Sequence, residues 1–331
     1  MKSRVVANYN GEFAFNEEKY QAYLKEAREE LFSDVSKLLS RINDLRLSEK
    51  IIYALQTRGK LLRPTLVLLS GQSVGGTREL LKKLALAIEL LHNATLVHDD
   101  ILDSDHFRRD ALAVYSKWGV RSAILVGDAL ASLSFNLSAE YDKEISKIVS
   151  QTCLSLCDGE YMDAAEITNE ASEQYYLEKI RKKTASLFKA ATQCGAIAGD
   201  GSASEVLSLA KFGENYGMAY QISDDLSDIA SLRDGLILGQ NDFQTLPFIH
   251  LHESTGKREK TYQDLSPKQL YENLRNSNCL SYCMDKIKEY LKKAAGNLEP
   301  LRGSVYRLYL LEMANNLLQE SCLSIGVRSF F

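Results

Sequence analysis

The feature that most restricts the fold of this chain is a helical rhythm in its apolar residues that little interrupts. Between Glu79 and Asp100, Leu80, Leu81, Leu84, Ile88, Leu91 and Leu96 recur mostly at three- and four-residue steps, which lines one face of an α-helix. The same period runs through 17–43, 64–74, 121–140, 144–166, 173–198, 203–230, 267–277, 280–296 and 303–323. No alternating run of β-branched residues reads as a strand. Breaks are confined to 71–77, 104–113, 199–202, 235–242 and 253–266. Of only 4 prolines, Pro64, Pro267 and Pro300 stand where helices can start. With no linker, repeat or low-complexity stretch, residues 1–331 read as one all-α domain, with the amphipathic 17–43 helix as an outer layer.

Composition narrows the function. Hydrophobic residues make up 45% and charged residues 25%, enough apolar material for a large core. A formal net charge of −4 argues against a nucleic-acid binder. Cys153/Cys157 and Cys279/Cys283 are spaced as helical neighbours, not as Cys-x-x-Cys, so the 6 cysteines read as free thiols in a reducing compartment. Met1–Phe13 is polar and lacks the apolar core of a leader. No uninterrupted apolar run reaches membrane-span length. The expected location is the cytoplasm.

Two acidic clusters carry the chemistry. Asp99, Asp100 and Asp103 end one helical stretch at i, i+1 and i+4, so their carboxylates can share a face. The partial negative charge of a helix C-terminus makes that a costly place for three carboxylates, which implies a bound cation. Asp224, Asp225 and Asp228 repeat the spacing behind a second apolar helix. Carboxylate oxygens are hard ligands suited to Mg2+, so the two clusters together read as a clamp for a diphosphate. Candidate anion-holding residues are Lys60 and Arg63, His92, Arg108 and Arg109, and Lys183 with Thr184 beside it.

In this order Gly-Lys-x-x-Arg-Pro (59–64), His92, Asp-Asp-x-x-Asp-x4-Arg-Arg (99–109), Lys-Thr (183–184) and Gly-x-x-Tyr-Gln-x-x-Asp-Asp-x-x-Asp (217–228) resemble the trans-isoprenyl diphosphate synthases, or polyprenyl synthetases. Gly127-Asp128-Ala129-Leu130 and Gly159 with Asp163 match lesser landmarks. The resemblance covers about 50 to 250. It implies an all-α bundle of long helices around a central cavity, usually a homodimer. It also implies a reaction in which isopentenyl diphosphate condenses with an allylic diphosphate to give a longer trans-prenyl diphosphate.

By that resemblance, Asp99, Asp103 and Asp224 bridge the allylic diphosphate through about three Mg2+ ions, with Asp100, Asp225 and Asp228 completing the clusters. Arg108, Lys183 and Gln221 lie on the allylic side, and Thr184 shapes the surroundings of the carbocation. Lys60, Arg63, His92 and Arg109 anchor isopentenyl diphosphate. The growing tail runs past Ala94 and Thr95, then Leu91 and Ile88, with Phe135 placed to close it lower down. Family members stopped at farnesyl carry an aromatic where Ala94 or Thr95 stands here, so the expected product is C20 or above.

The sequence departs from the family in several places. Asp110 replaces a glycine, a histidine near Tyr115 is missing, and Glu160 replaces a glutamine. The loop 229–247 has lost the lysines that help hold the allylic diphosphate, leaving only Arg233 nearby. Two other readings compete. A class I terpene cyclase needs Ser or Thr at i+4 and Glu at i+8 from Asp224, where Asp228 and Leu232 stand. A non-catalytic subunit modulating another synthase has no need of two intact clusters.

Overall fold

The computed structural model describes residues 14–41, 46–56, 59–109, 111–164, 172–235, 241–256, 262 and 265–326. The start Met1–Phe13, position Asp110 and the 236–240 part of the lysine-poor loop lie outside them. The described chain is all-α apart from one short hairpin.

In chain order the helices are α1 (Glu17–Arg41), α2 (Ser48–Gln56), α3 (Leu62–Ser73), α4 (Arg78–Leu102), α5 (Val114–Trp118), α6 (Val120–Ser138) and α7 (Lys143–Ala164). They are followed by α8 (Glu173–Ile180), α9 (Ser186–Ala198), α10 (Ala203–Ser231), α11 (Leu246–Thr255), α12 (Pro267–Asn276), α13 (Cys279–Asn297) and α14 (Val305–Ser324). The periodic segments appear within a few residues of the expected bounds. The rhythm did not disclose α2 and α5, which are short, or α11, whose start Leu246–Leu251 is apolar nearly throughout and shows no single face. Pro64 and Pro267 lie in first helical turns, as expected, whereas Pro300 sits in the turn before α14.

Polar caps set several helix starts. Ser202 and Glu205 exchange hydrogen bonds in a capping box at α10, and Ser266 and Gln269 do the same at α12. Thr77 accepts from the Leu80 N–H at α4. The long helices α4 and α10 are held by burial. Ile88 and Leu91 on α4, and Phe212, Ile222, Leu226 and Ile229 on α10, are almost fully enclosed. Each such side chain contributes about 1.5–3 kcal/mol relative to exposure.

Between α8 and α9, Arg181–Ala185 widens into a π-helical turn, a distortion that re-aims side chains at functional sites. Two glycines let neighbours close on it. A Cβ on Gly159 of α7 would lie 2.3 Å from the Lys183 backbone nitrogen, and one on Gly217 of α10 would lie 2.7 Å from the Ala185 Cα. Larger residues at either position would push the helices apart.

The hairpin was not expected from the sequence. Its strands β1 (Phe107–Arg108) and β2 (Ala111–Leu112) pair antiparallel, Arg108 opposite Ala111. Ser104 ends α4 with φ 59° and Arg109 turns the hairpin with φ 51°. Asn and Gly favour such backbone, but Arg109 does not advertise it.

Candidate active site

The end of α4, the π turn, α10 and the start of α3 converge on one space. Arg108 joins the parts electrostatically. Its charge bears on Asp99, Asp100 and Asp103 of the first cluster and also on Asp224 of the second. The two clusters therefore face a common region.

Within the first cluster the three carboxylates are not equivalent. Asp100 is buried, and one of its oxygens accepts two hydrogen bonds from Arg108, the one from Nε at 2.7 Å. The hairpin makes this possible by turning Arg108 back over the helix end. Asp99 is half-buried and Asp103 exposed. Burial, then the nearby Glu160 charge, pushes the Asp99 carboxyl up to about 8, with Lys183 opposing. Burial raises Asp103 as well, again opposed by Lys183.

Lys183 projects from the π turn toward α7, where Nζ donates to Glu160 Oε1 at 2.9 Å and Asp163 Oδ2 at 2.5 Å. The other Asp163 oxygen accepts from the buried Lys179 at 2.7 Å. Burial lifts the Asp163 carboxyl, but Lys179 and Lys183 together hold it below the usual range. Glu160, Asp163 and Lys179 thus form a charge network around Lys183. In the sequence Glu160 stands only as a departure from the family and Asp163 as a landmark, and Lys179 falls in no motif. Their spacing on α7 and α8 was a visible signal, but only the packing pairs them.

The second cluster is tied down differently. Asp225 is buried; Oδ2 accepts from the Tyr176 hydroxyl at 2.6 Å and Oδ1 from Gln221 Nε2 at 2.8 Å. Thr184 Oγ1 donates to Gln221 Oε1 at 2.6 Å. Burial pushes Asp225 up to about 6 against those two hydrogen bonds. Asp224 and Asp228 are exposed. Burial raises Asp224 while Lys60 and Arg63 pull it down. Both oxygens of Asp225 and one of Asp100 are engaged with protein donors. The six carboxylates expected at the metal site therefore differ in how far protein donors already hold them.

The basic residues also separate. Arg63 Nη1 lies 3.0 Å from His92 Nε2, and the guanidinium covers the Phe188 ring at 4.3 Å. Burial, then Arg63 and Arg109, drives the His92 pKa well below its usual value, so the ring is neutral. The Arg109 guanidinium packs against Gly59, where a Cβ would come within 2.5 Å of it. Lys60 reaches toward Asp224 but makes a 2.6 Å ion pair with Glu320 on α14. Glu89, which the sequence reading missed, is buried one turn before His92. It accepts from Asn93 at 2.9 Å, and burial raises it to about 7. Its position on the His92 face was the available signal.

Arg233 does not replace the missing loop lysines. It donates from Nε to the Ala230 carbonyl at 2.9 Å and from Nη2 to the Ser324 carbonyl at 2.5 Å, and covers the Tyr271 ring. Its printed contacts are thus with the end of α10, with α12 and with α14. The five tail-pocket residues also divide. Ile88 and Leu91 belong to the main core, Ala94 packs with Ala123, Val126 and Leu130 of α6, and Phe135 is 36% exposed on α6.

Among the described residues, no group of three or more His, Cys, Asp or Glu is close enough to hold a metal unaided. The exposed carboxylates of Asp103, Asp224 and Asp228 are hard oxygen donors of the kind Mg2+ takes one or two of, with phosphate oxygens and water completing its shell. A family model described as polyprenyl synthetase matches residues 45–275. The chain belongs to the polyprenyl synthetase family. It is a trans-polyprenyl diphosphate synthase, a prenyltransferase of isoprenoid biosynthesis.

A short chain isoprenyl diphosphate synthase of Methanothermobacter thermautotrophicus is 42% identical over 198 residues, 58% of this chain and 60% of that protein. A geranylgeranyl diphosphate synthase of Methanosarcina mazei is 30% identical over 286 residues, 81% of this chain and 88% of that one. The crystal structure of a polyprenyl synthase from Caulobacter crescentus, complexed with calcium and isoprenyl diphosphate, has a TM-score of 0.80 at 26% identity. It covers 90% of this chain and 97% of the other. Family members thus bind divalent metals, and prenyl diphosphates are the implied substrates.

Proposed function

We propose that this synthase condenses isopentenyl diphosphate with an allylic diphosphate to make prenyl diphosphates of C20 or above. The observation that carries the site assignment is the shared electrostatic reach of Arg108 across both clusters, with Lys60 and Arg63 beside Asp224.

In this reading Asp99, Asp103 and Asp224 hold about three Mg2+ ions together with the allylic diphosphate, and Asp228 supports them at one remove. Bound Mg2+ supplies Lewis-acid neutralisation of the departing diphosphate. Arg108 and Lys183 add fixed positive charge there. Thr184 donates its proton to Gln221, which leaves its oxygen lone pairs to face the allylic cation. Arg63, Arg109, Lys60 and neutral His92 hold isopentenyl diphosphate so that its double bond attacks as the allylic C–O bond breaks. A new C–C bond forms, and the proton lost in restoring the double bond goes to the diphosphate just released. Asp100 acts by fixing Arg108, and Asp225 by fixing Gln221. No side chain serves as a covalent nucleophile. Excluding water protects the cation.

Product length rests on Ala94 and Thr95, which leave no aromatic barrier at the head of the tail path. The geranylgeranyl name of one relative supports the same length. The single-domain assignment rests on α10, which shares the core with α9, α11, α13 and α14. A homodimer is supported by Ile124 and Leu125, 44% and 53% exposed on α6. By composition and length, among the described residues α6 alone is apolar enough to cross a membrane, and 33% of it is buried. A dimer contact accounts for its apolar face. Free cysteines throughout support a cytoplasmic enzyme.

The test is incubation of the purified protein with Mg2+, isopentenyl diphosphate and each allylic primer, followed by sizing of the extracted products. Chains of C20 or above are expected. A farnesyl end product would overturn the length assignment.

A further inference from the structure

The 3-10 turn Leu232–Asp234, α12, α13 and the end of α14 border a second, open cavity of about 820 Å3. That volume lies in the range of small-molecule sites, about 300–1,000 Å3. Its described rim carries Arg233, Lys268, Arg275 and Lys288; Glu272 lies 3.9 Å from Arg275, and Lys288 pairs with Asp285 at 3.3 Å, which leaves the rim with a positive excess from Arg233 and Lys268. Its floor is apolar, formed by Tyr271, Leu280, Met284 and Ile325.

Two details point to an anion at the rim. Arg233 is held in place by the Ala230 and Ser324 carbonyls and by the Tyr271 ring, so its guanidinium is a fixed charge rather than a waving surface one. The long helix α13 opens onto the same cavity without a side-chain cap. Asn278 enters it at φ 58°, and the first-turn residues Leu280 and Ser281 line the cavity. First-turn N–H groups without a capping side chain, with the helix dipole behind them, favour an anionic ligand. The apolar floor requires that ligand to carry a hydrocarbon part.

We infer that this cavity is a second, metal-independent binding site for an anionic amphiphile, and that its occupant is a prenyl diphosphate. The identity of the occupant rests on the synthase reading above. The described lining carries no aspartate, and the cationic rim takes the place of Mg2+ in holding the anion. The cavity joins the catalytic helix through the Leu232–Asp234 turn, which continues directly from α10.

Calorimetry in EDTA with geranylgeranyl thiodiphosphate, whose C–S bond resists ionisation, tests the site. Wild-type protein is expected to bind it without metal. The double variant Lys268→Glu, Arg275→Glu is expected to bind about tenfold or more weakly. Both side chains are exposed and outside the catalytic machinery, so initial-rate condensation should be unchanged, which also shows that the variant is folded. No binding by wild type in EDTA, or equal binding by the variant, would overturn the proposal. So would inorganic diphosphate binding as tightly as the thio analogue, since the apolar floor would then contribute nothing. Products sized on the same preparation judge the length assignment separately: short products sink that assignment, while the EDTA titration alone decides the cavity.

Discussion

Asp99 stands at the end of α4 with Glu160 and Asp103 pressing on it and Lys183 offsetting them. Asp224 stands short of the end of α10 with Lys60, Arg63 and Arg108 all of favourable sign around it. The two clusters share one spacing, yet the first is crowded by a carboxylate from another helix and the second is not. The difference teaches that a motif sets which ligands are present, while neighbouring helices set how readily they ionise.

Neutralising the outward carboxylates should have the largest effect. Asp99→Asn and Asp224→Asn are each expected to lower kcat by about 10^3-fold. Asp100→Asn and Asp225→Asn should cost only about tenfold, through misplaced Arg108 and Gln221. Steady-state kinetics on the four variants would break the comparison if all fell equally.

Lys183→Met comes next. It strands Glu160 beside the first cluster and should remove about 2 kcal/mol of stability by denaturant unfolding. The loss of activity should exceed that of any single change around Asp224's cations.

Glu160→Gln sharpens the contrast in the opposite direction. A carboxyl raised in the fold holds its proton more tightly there than in the unfolded chain. Its contribution to metal-free stability is therefore greatest below the ordinary carboxylate range and is lost as pH rises through about 8. Removing the Glu160 charge lowers the Asp99 value. The fall in Tm between pH 6 and pH 9 should shrink, and the Mg2+ needed for half-maximal rate at neutral pH should drop a few-fold.

His92 should show no titration in this range. Burial and the arginines keep it neutral, so KM for isopentenyl diphosphate should lack a break near the ordinary histidine pKa. The smallest effect belongs to Glu320→Gln. Its pair with Lys60 is exposed on both sides, worth about 0–1 kcal/mol, so only a slight change in the same KM is expected.

Much of this protein was legible in its residues. The 3.6-residue rhythm announced α4 and α10 because burying one face of a long helix forces apolar residues onto that face. The paired Asp-Asp-x-x-Asp clusters, with the basic motifs between them, announced the polyprenyl synthetase family because their order and spacing are specific to it. The short α2 left too few repeats to read, and the start of α11, apolar at nearly every position, presents no single face.

What the tertiary structure alone decided concerns partners distant in sequence. The hairpin at Arg109 turns Arg108 back onto Asp100, and the packing of α8 on α10 sets Tyr176 against Asp225. Gly159 lets α7 approach the π turn so that Glu160 meets Lys183. Arg233, the residue left near the lysine-poor loop, is held by the Ser324 carbonyl. Spacing along a helix fixes which side chains share a face. Which charge stands opposite them depends on how separate helices pack, and that contact decides how each carboxylate ionises.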